Sequence, residues 1–128
     1  GAKPGWTGIT AEPLAGTWTN VDEKTSGLAK LVITVAGTGI VVRGFGACVP
    51  TLSDWGTVSG MVFAENVVSN PAIAFTSTFS FPFKETTVVG HLDAGLLIVE
   101  TFDHFTDKSG RSDYFSRFYL ENKWETGS

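Results

Sequence analysis

The chain reads as an all-β protein, an eight-stranded antiparallel barrel wound up and down as a meander. Three observations carry that expectation. Short runs rich in Val, Thr and Phe recur from one end to the other, separated by turn signals, as in sandwiches and barrels. Fifteen Gly and five Pro punctuate those runs, and both residues serve tight turns. No stretch shows an apolar stripe at the helical period.

The elements follow in order. GTWTNVD (16–22) is the first predicted strand, with a turn at 23–27. LAKLVITV (28–35) is the second, placing Ala29, Leu31, Ile33 and Val35 on one face. A glycine turn (36–39) leads to IVVRGFGAC (40–48), where Gly44 and Gly46 are bend or bulge points. VPTLSDWG (49–56) reads as a longer loop. The fourth strand is 57–66, and VVSNP (67–71) connects it onward. In the fifth, AIAFTSTFSF (72–81), Ile73, Phe75, Phe79 and Phe81 share one face. Ala72, Ala74, Thr76 and Thr78 share the other, and Pro82 ends the strand. The last three strands are 85–92, 96–106 and 111–121, joined by turns at 93–95 and 107–110. The domain plan is a lead-in (1–12), one barrel domain (13–122) and a flexible tail (123–128).

Short connections favour pairing between sequence neighbours, and closure removes the exposed edges of an open sheet. Eight strands enclose an interior that is packed solid or holds one small ligand.

Composition narrows the function. With 128 residues and 42% hydrophobic content, one domain with a substantial core is expected. Nine Lys and Arg stand against thirteen Asp and Glu, a net charge of −4. Without a basic stripe to neutralise phosphates, nucleic acid is not an expected partner. No apolar run approaches the about 18–20 residues of a membrane span. The N-terminus lacks the basic-then-apolar signal pattern, so the compartment stays open between cytoplasm and secretion with a leader removed. Cys48 is the sole cysteine, which excludes an intrachain disulfide and a cysteine-rich zinc site. It is expected to be a small buried hydrophobe. No cofactor is expected.

The GTW of residues 16–18, preceded by Pro13-Leu14, resembles the Gly-x-Trp signature that opens the first strand of lipocalins. Avidin-like proteins begin similarly, and both belong to the calycins. The resemblance implies a small-molecule binding barrel in which Trp18 plugs one end. It also implies a basic residue from the last strand lying across the indole, for which Arg117 in YFSRFYL is the match. A Trp there buries a large apolar face while its N–H finds a carbonyl, and a stacked guanidinium adds a cation–π attraction. The disulfides common in secreted lipocalins cannot form here. The biotin-contacting pattern of avidins is not matched beyond the opening, so biotin is not implied.

The richest polar stretch is ETFDHFTDKSGRSDY (100–114). If residues 107–110 close a hairpin, Thr106 faces Arg111, His104 faces Asp113, Phe102 faces Phe115 and Glu100 faces Arg117. The opposite face carries Leu97, Val99, Thr101, Phe105, Tyr114, Phe118 and Leu120. Two readings stay open. Either the apolar set points inward and the charged pairs decorate the outside, or Arg117 points inward to meet Trp18. Strict alternation would then carry Glu100, His104 and Asp113 to the lumen. In the second case Glu100, His104, Asp113 and Arg117 are catalytic candidates for acid–base chemistry.

Candidate ligand contacts are Trp18, Trp55, Phe102, Phe115 and Tyr119. Trp55, beside Asp54, either offers a sugar-stacking platform or tucks back over the barrel end. Trp6 and Trp124 sit in the tails. Asp103, Asp107, Ser109 and Asp113 are oxygen donors around a turn, either a calcium loop without EF-hand spacing or an ordinary side-chain-capped turn. His91 and His104, without a cysteine partner, do not make a transition-metal site. The leading function is therefore a barrel holding a small, mostly apolar ligand. The alternatives are a small isomerase or cyclase, a carbohydrate-binding module and a filled structural barrel. An aromatic face on strands seven and eight would also allow a homodimer.

Overall fold

Residues 8–48 and 50–123 are described in the computed structural model, so Trp6 and Trp124 lie outside the described residues. Alternation of apolar and polar side chains builds eight strands: β1 Gly16–Asn20, β2 Leu28–Ala36, β3 Gly39–Gly46 and β4 Ser53–Ala64. They continue as β5 Ala72–Ser80, β6 Lys84–Asp93, β7 Leu96–Phe105 and β8 Tyr114–Asn122. Each pairs antiparallel with its sequence neighbour, and β8 returns to β1, so the sheet is a closed up-and-down barrel. Closure leaves no free edge.

Three β-bulges correct the simple alternation read from sequence. In β2 the register slips between Leu28 and Lys30, so Leu28 turns inward where Ala29 was expected to share the face of Leu31 and Ile33. Between β4 and β5 it slips at Phe63/Ala64; Ala72 is buried and Ile73 exposed, the reverse of the expected phase. Between β3 and β4, Gly44 pairs with Gly56 and Phe45 with Asp54, which leaves Trp55 as the extra residue. A bulge changes which face the next side chain meets.

The largest shifts in element limits are at two strand starts. β4 begins at Ser53, inside the stretch read as a loop, because Ser53 and Asp54 pair with Gly46 and Phe45. β8 begins at Tyr114 rather than 111. Lys108 and Gly110 take positive φ (58° and 82°) in a broader connection. The β7–β8 register itself agrees with the sequence expectation, with Glu100 opposite Arg117 and Phe102 opposite Phe115.

The two ends of the barrel differ. One end is sealed by a 3-10 turn, Glu12–Leu14, that runs into β1. Leu14 is fully buried, and its carbonyl accepts a 2.9 Å hydrogen bond from the Trp18 indole Nε1–H. Ahead of it, Thr10 forms a parallel bridge with Pro71, and its backbone bonds to Asn70 and Ala72. The lead-in is thereby strapped across the barrel end. Trp18 is 3% exposed. Behind it the closed half is filled by Leu31, Ile33, Ile40, Phe75, Leu97 and Val99.

Arg117 does not lie across Trp18. The β8 residue opposite Trp18 is Asn122, whose Nδ2 approaches the Ala15 carbonyl at 3.4 Å. Gly16 (φ 137°) has no room for a side chain there, since a Cβ would lie 2.5 Å from Asn122 Nδ2. Arg117 stands outside, five residues earlier on the strand, bonded to Glu100 at 3.0 Å. Cys48 is also a correction. It lies past the end of β3 and is exposed, not buried.

Because Trp18 is both core and cork, Trp18→Ala should cost about 3–5 kcal/mol of stability. Urea unfolding followed by far-UV circular dichroism measures this, and Trp18→Phe should recover part of the loss.

Candidate functional site

The opposite end of the barrel is open and polar. It is formed where β1 passes to β2, β3 to β4, β5 to β6 and β7 to β8. There the inward phase of β7 continues from Leu97 and Val99 to Thr101 and Asp103, all four buried. Asp103 pairs in register with Thr86 on β6. Its Oδ1 accepts from the Thr86 hydroxyl at 2.5 Å and lies 2.9 Å from the Lys84 ammonium. Both contacts fall on Oδ1. A buried carboxylate needs such partners, because an isolated charge out of water is costly.

Lys84, Asp103 and Thr101 line a cavity of about 390 Å³. Its wall adds the hydroxyls of Thr25, Ser26, Ser53 and Ser116 and the rings of Trp55 and Phe118. The β3–β4 bulge sets the position of Trp55. Its indole lies flat over Gly44 and Gly46, where an added Cβ would approach the ring to 2.8 Å at either position. Phe79 and Phe81 meet it edge-on at 5.5 and 5.8 Å. Phe118 packs on Gly27, whose carbonyl accepts from the Ala47 amide and draws the β1–β2 loop to the rim.

An aromatic row runs along one side of the mouth, at the β5–β6 and β7–β8 connections. Phe81, Phe83, Phe105 and Tyr114 follow one another at centroid separations of 6.1–6.5 Å. The Lys84 ammonium lies 5.6–5.8 Å from the rings of Phe81, Phe83 and Tyr114. Its charge is therefore balanced by Asp103 and by ring faces. The lumen offers a neutralised ion pair, hydroxyls and flat rings, and no uncompensated charge among the described residues.

Of the residues singled out from sequence, Trp55 lines this cavity, and Trp18 lies sealed at the opposite end. Glu100, His104, Asp113 and Arg117 are on the outer wall, in two separate pairs, so they do not meet in the lumen. Phe102, Phe115 and Tyr119 are exposed beside them. Asp54 is held outside by Arg43, and that hydrogen bond keeps its carboxyl below the usual range. The four oxygen donors of the 103–113 region do not converge. Asp103 is inside the barrel, Asp107 binds Arg111, and Asp113 binds His104. No three metal-ligating side chains gather among the described residues.

Asp113 clasps the β7–β8 connection. It accepts from the Phe105 amide at 2.9 Å and pairs with His104 Nδ1 at 2.8 Å. That hydrogen bond raises the His104 pKa above its ordinary 6.5 and, with the Phe105 amide, lowers that of Asp113. Arg111 of the same loop lies over the Phe105 ring at 4.2 Å, which ties the clasp to the aromatic row.

A second depression, about 830 Å³, lies outside the barrel by the β4–β5 connection, against Ile9, Phe63, Val67 and Val68. It is larger and more apolar, but none of its lining residues titrates.

The sequence marks none of Lys84, Thr86 and Ser116, places Thr101 in the apolar set that one reading turns inward, and presents Asp103 only as a turn donor. The signal for Asp103 was its phase, in step with Leu97, Val99 and Thr101. Lys84 carried none, because it sits beyond Pro82 in what read as a connection. Neither a scan against protein-family models, nor a search of curated proteins, nor a search of solved structures returns a match for this chain.

Two outcomes follow from this geometry. Removing one member of the buried pair, as in Asp103→Asn or Lys84→Met, should destabilise the fold by about 3–5 kcal/mol. The joint variant Lys84→Met/Asp103→Leu should lose less than either, as a double-mutant cycle by chemical denaturation would show. The clasp has its own pH window. His104, with its pKa raised on folding, contributes fully below its ordinary value and loses that contribution as pH rises through the folded value. Asp113, with its pKa lowered, contributes above the usual carboxylate range and loses it as pH falls through the folded value. Amide protection in 106–113, corrected for intrinsic exchange, should therefore peak in mild acid, and His104→Gln should flatten its alkaline limb.

Proposed function

We propose that this barrel binds one small, uncharged, hydroxyl-bearing ring at its open mouth, in the manner of a lipocalin- or avidin-like binding barrel. The observation that carries this reading is the buried Lys84–Asp103 pair, braced by Thr86, on the wall of a cavity at the barrel mouth. A barrel selected only for stability would fill that end with apolar side chains, since replacing a buried ion pair by packed hydrophobes is often neutral or stabilising.

The class of ligand follows from the wall. Lys84 and Asp103 neutralise each other at 2.9 Å, so a charged ligand would have to break the pair or remain uncompensated. The Asp103 carboxylate and the hydroxyls of Thr101 and Ser116 offer acceptors and donors, while Trp55 and Phe118 offer flat apolar faces. A volume of about 390 Å³ lies near the small end of ligand pockets, which run from about 300 to 1,000 Å³. That suits a single hydroxylated ring, a more polar guest than composition suggested. Trp55 would then act from inside the mouth and not as an outward platform. The acid–base reading required Glu100, His104, Asp113 and Arg117 in the lumen, and it loses that support.

An NMR titration tests this with glucose, galactose, mannose and inositol, using glucuronate and glucosamine as charged controls. The expected result is saturable movement of the Trp55 indole and Thr101 methyl signals with at least one uncharged member. Ser116→Leu, which fills the cavity, should keep the fold and abolish the response. No movement with any uncharged ring, or an unchanged response in Ser116→Leu, contradicts the proposal.

A further inference from the structure

The outer wall of β7 and β8 carries a patch that the cavity does not use. Phe102, Phe115 and Tyr119 are 44%, 49% and 41% exposed. Phe102 and Phe115 stack against each other across the ladder at 5.3 Å. Ile98 lies opposite Tyr119, and Val21, 48% exposed, follows β1 with its amide on the Tyr119 carbonyl. Between the two apolar clusters sits one ion pair, Glu100–Arg117, at 2.9 Å. Exposed apolar clusters rimmed by polar residues are the kind of surface that marks an interaction site.

The arrangement of charge identifies the occupant. Along this wall the rows run Phe102–Phe115, Glu100–Arg117 and Ile98–Tyr119. A two-fold axis lying between β7 and β8, parallel to them, exchanges the two strands of each row. Two copies facing each other about that axis place Glu100 of one over Arg117 of the other. The same operation lays Phe102 over Phe115 and Ile98 over Tyr119. An axis across the strands would instead set Glu100 over Glu100 and Arg117 over Arg117, which like-charge repulsion opposes. An isologous interface requires a self-complementary surface, and this wall has one with its charges balanced at the centre.

We infer that the β7–β8 wall is the interface of a homodimer, formed by two copies of this chain about a two-fold axis parallel to those strands. The interface is independent of the cavity, which opens at the barrel end and not through the wall. Aromatic residues and Arg are the residue types that carry most interface energy, and this patch concentrates both. The apolar loop tip at Val67 and Val68, also exposed, has no such charge pairing.

Sedimentation velocity across micromolar to millimolar concentration tests the inference, with circular dichroism confirming that each variant is folded. The wild-type chain should dimerise reversibly, and Phe115→Lys should weaken the dimer by about tenfold or more. Charge exchange gives the sharper result. Glu100→Arg presents two Arg and Arg117→Glu presents two Glu, so each alone should remain monomeric. Mixed in equal amounts, the two should form a heterodimer. A wild-type chain that stays monomeric throughout overturns the inference. So does a dimer that neither charge variant weakens, or a mixture that fails to associate.

Discussion

The hydrogen bond from the Trp18 indole to the Leu14 carbonyl fixes the end of the barrel on which the rest depends. Trp18 is a β1 residue, Leu14 ends the 3-10 turn, and Asn122 lies opposite Trp18 on β8. A single side chain therefore joins the plug, the first strand and the closing seam. That seam is short, with three paired residues at Trp18, Thr19 and Asn20, so its ladder alone is a slender closure. Burial of a Trp with its one donor satisfied supplies the missing adhesion. Gly16 and Asn122 complete the fit, since any larger residue at 16 would displace the Asn122 amide.

Sealing one end determines the character of the other. With Leu14 and Trp18 in place, branched aliphatic residues and Phe75 fill the adjoining half of the lumen, each almost fully buried. The open half has no plug. Its inward positions on β6 and β7 are Thr86, Thr101 and Asp103, joined by Lys84 at the rim. Water at the mouth lowers the cost of these charges, and the Thr86 hydroxyl and the ring faces share the rest. The bulge at Trp55 belongs to the same design. It swings a Trp from a strand edge into the mouth, and Gly44 and Gly46 leave the space that the indole fills.

Much of the wall was legible in the sequence because alternation is a local signal. The eight strands, their order, the antiparallel closure and the β7–β8 register all follow from period-two patterning and turn residues. Of the bulges, only the one at Gly44 is marked in the sequence, by its glycines, and even there the displaced residue on the partner strand is not. Ala29, Trp55 and Ile73 each lie at or beside a point where one extra residue resets the face, and at Ala29 and Ile73 nothing local announces that slip. The Gly-x-Trp opening correctly located the cork, but its partner on the last strand was misplaced. Arg117 was chosen by residue type, whereas the seam register places Asn122 opposite Trp18. Glu100, Phe102, His104, Phe115, Arg117 and Tyr119 form the most conspicuous aromatic and charged set on β7 and β8, yet they line the outside. The lumen cluster is built from an Asp in the inward phase, two Thr and a Lys just after a proline corner, residue types that read individually as surface.

The central claim is a barrel that is dry and packed at its Trp18 end and hydrated at its Asp103 end. Water-to-methyl cross-relaxation in the NMR spectrum tests it most directly. The account predicts contact between long-lived water and the methyl of Thr101, which lines the cavity, and none at those of Val42, Leu31 and Val99. A dry Thr101 methyl would mean a filled barrel without a binding cavity. Wet Leu31 and Val42 would mean that Trp18 does not seal the end.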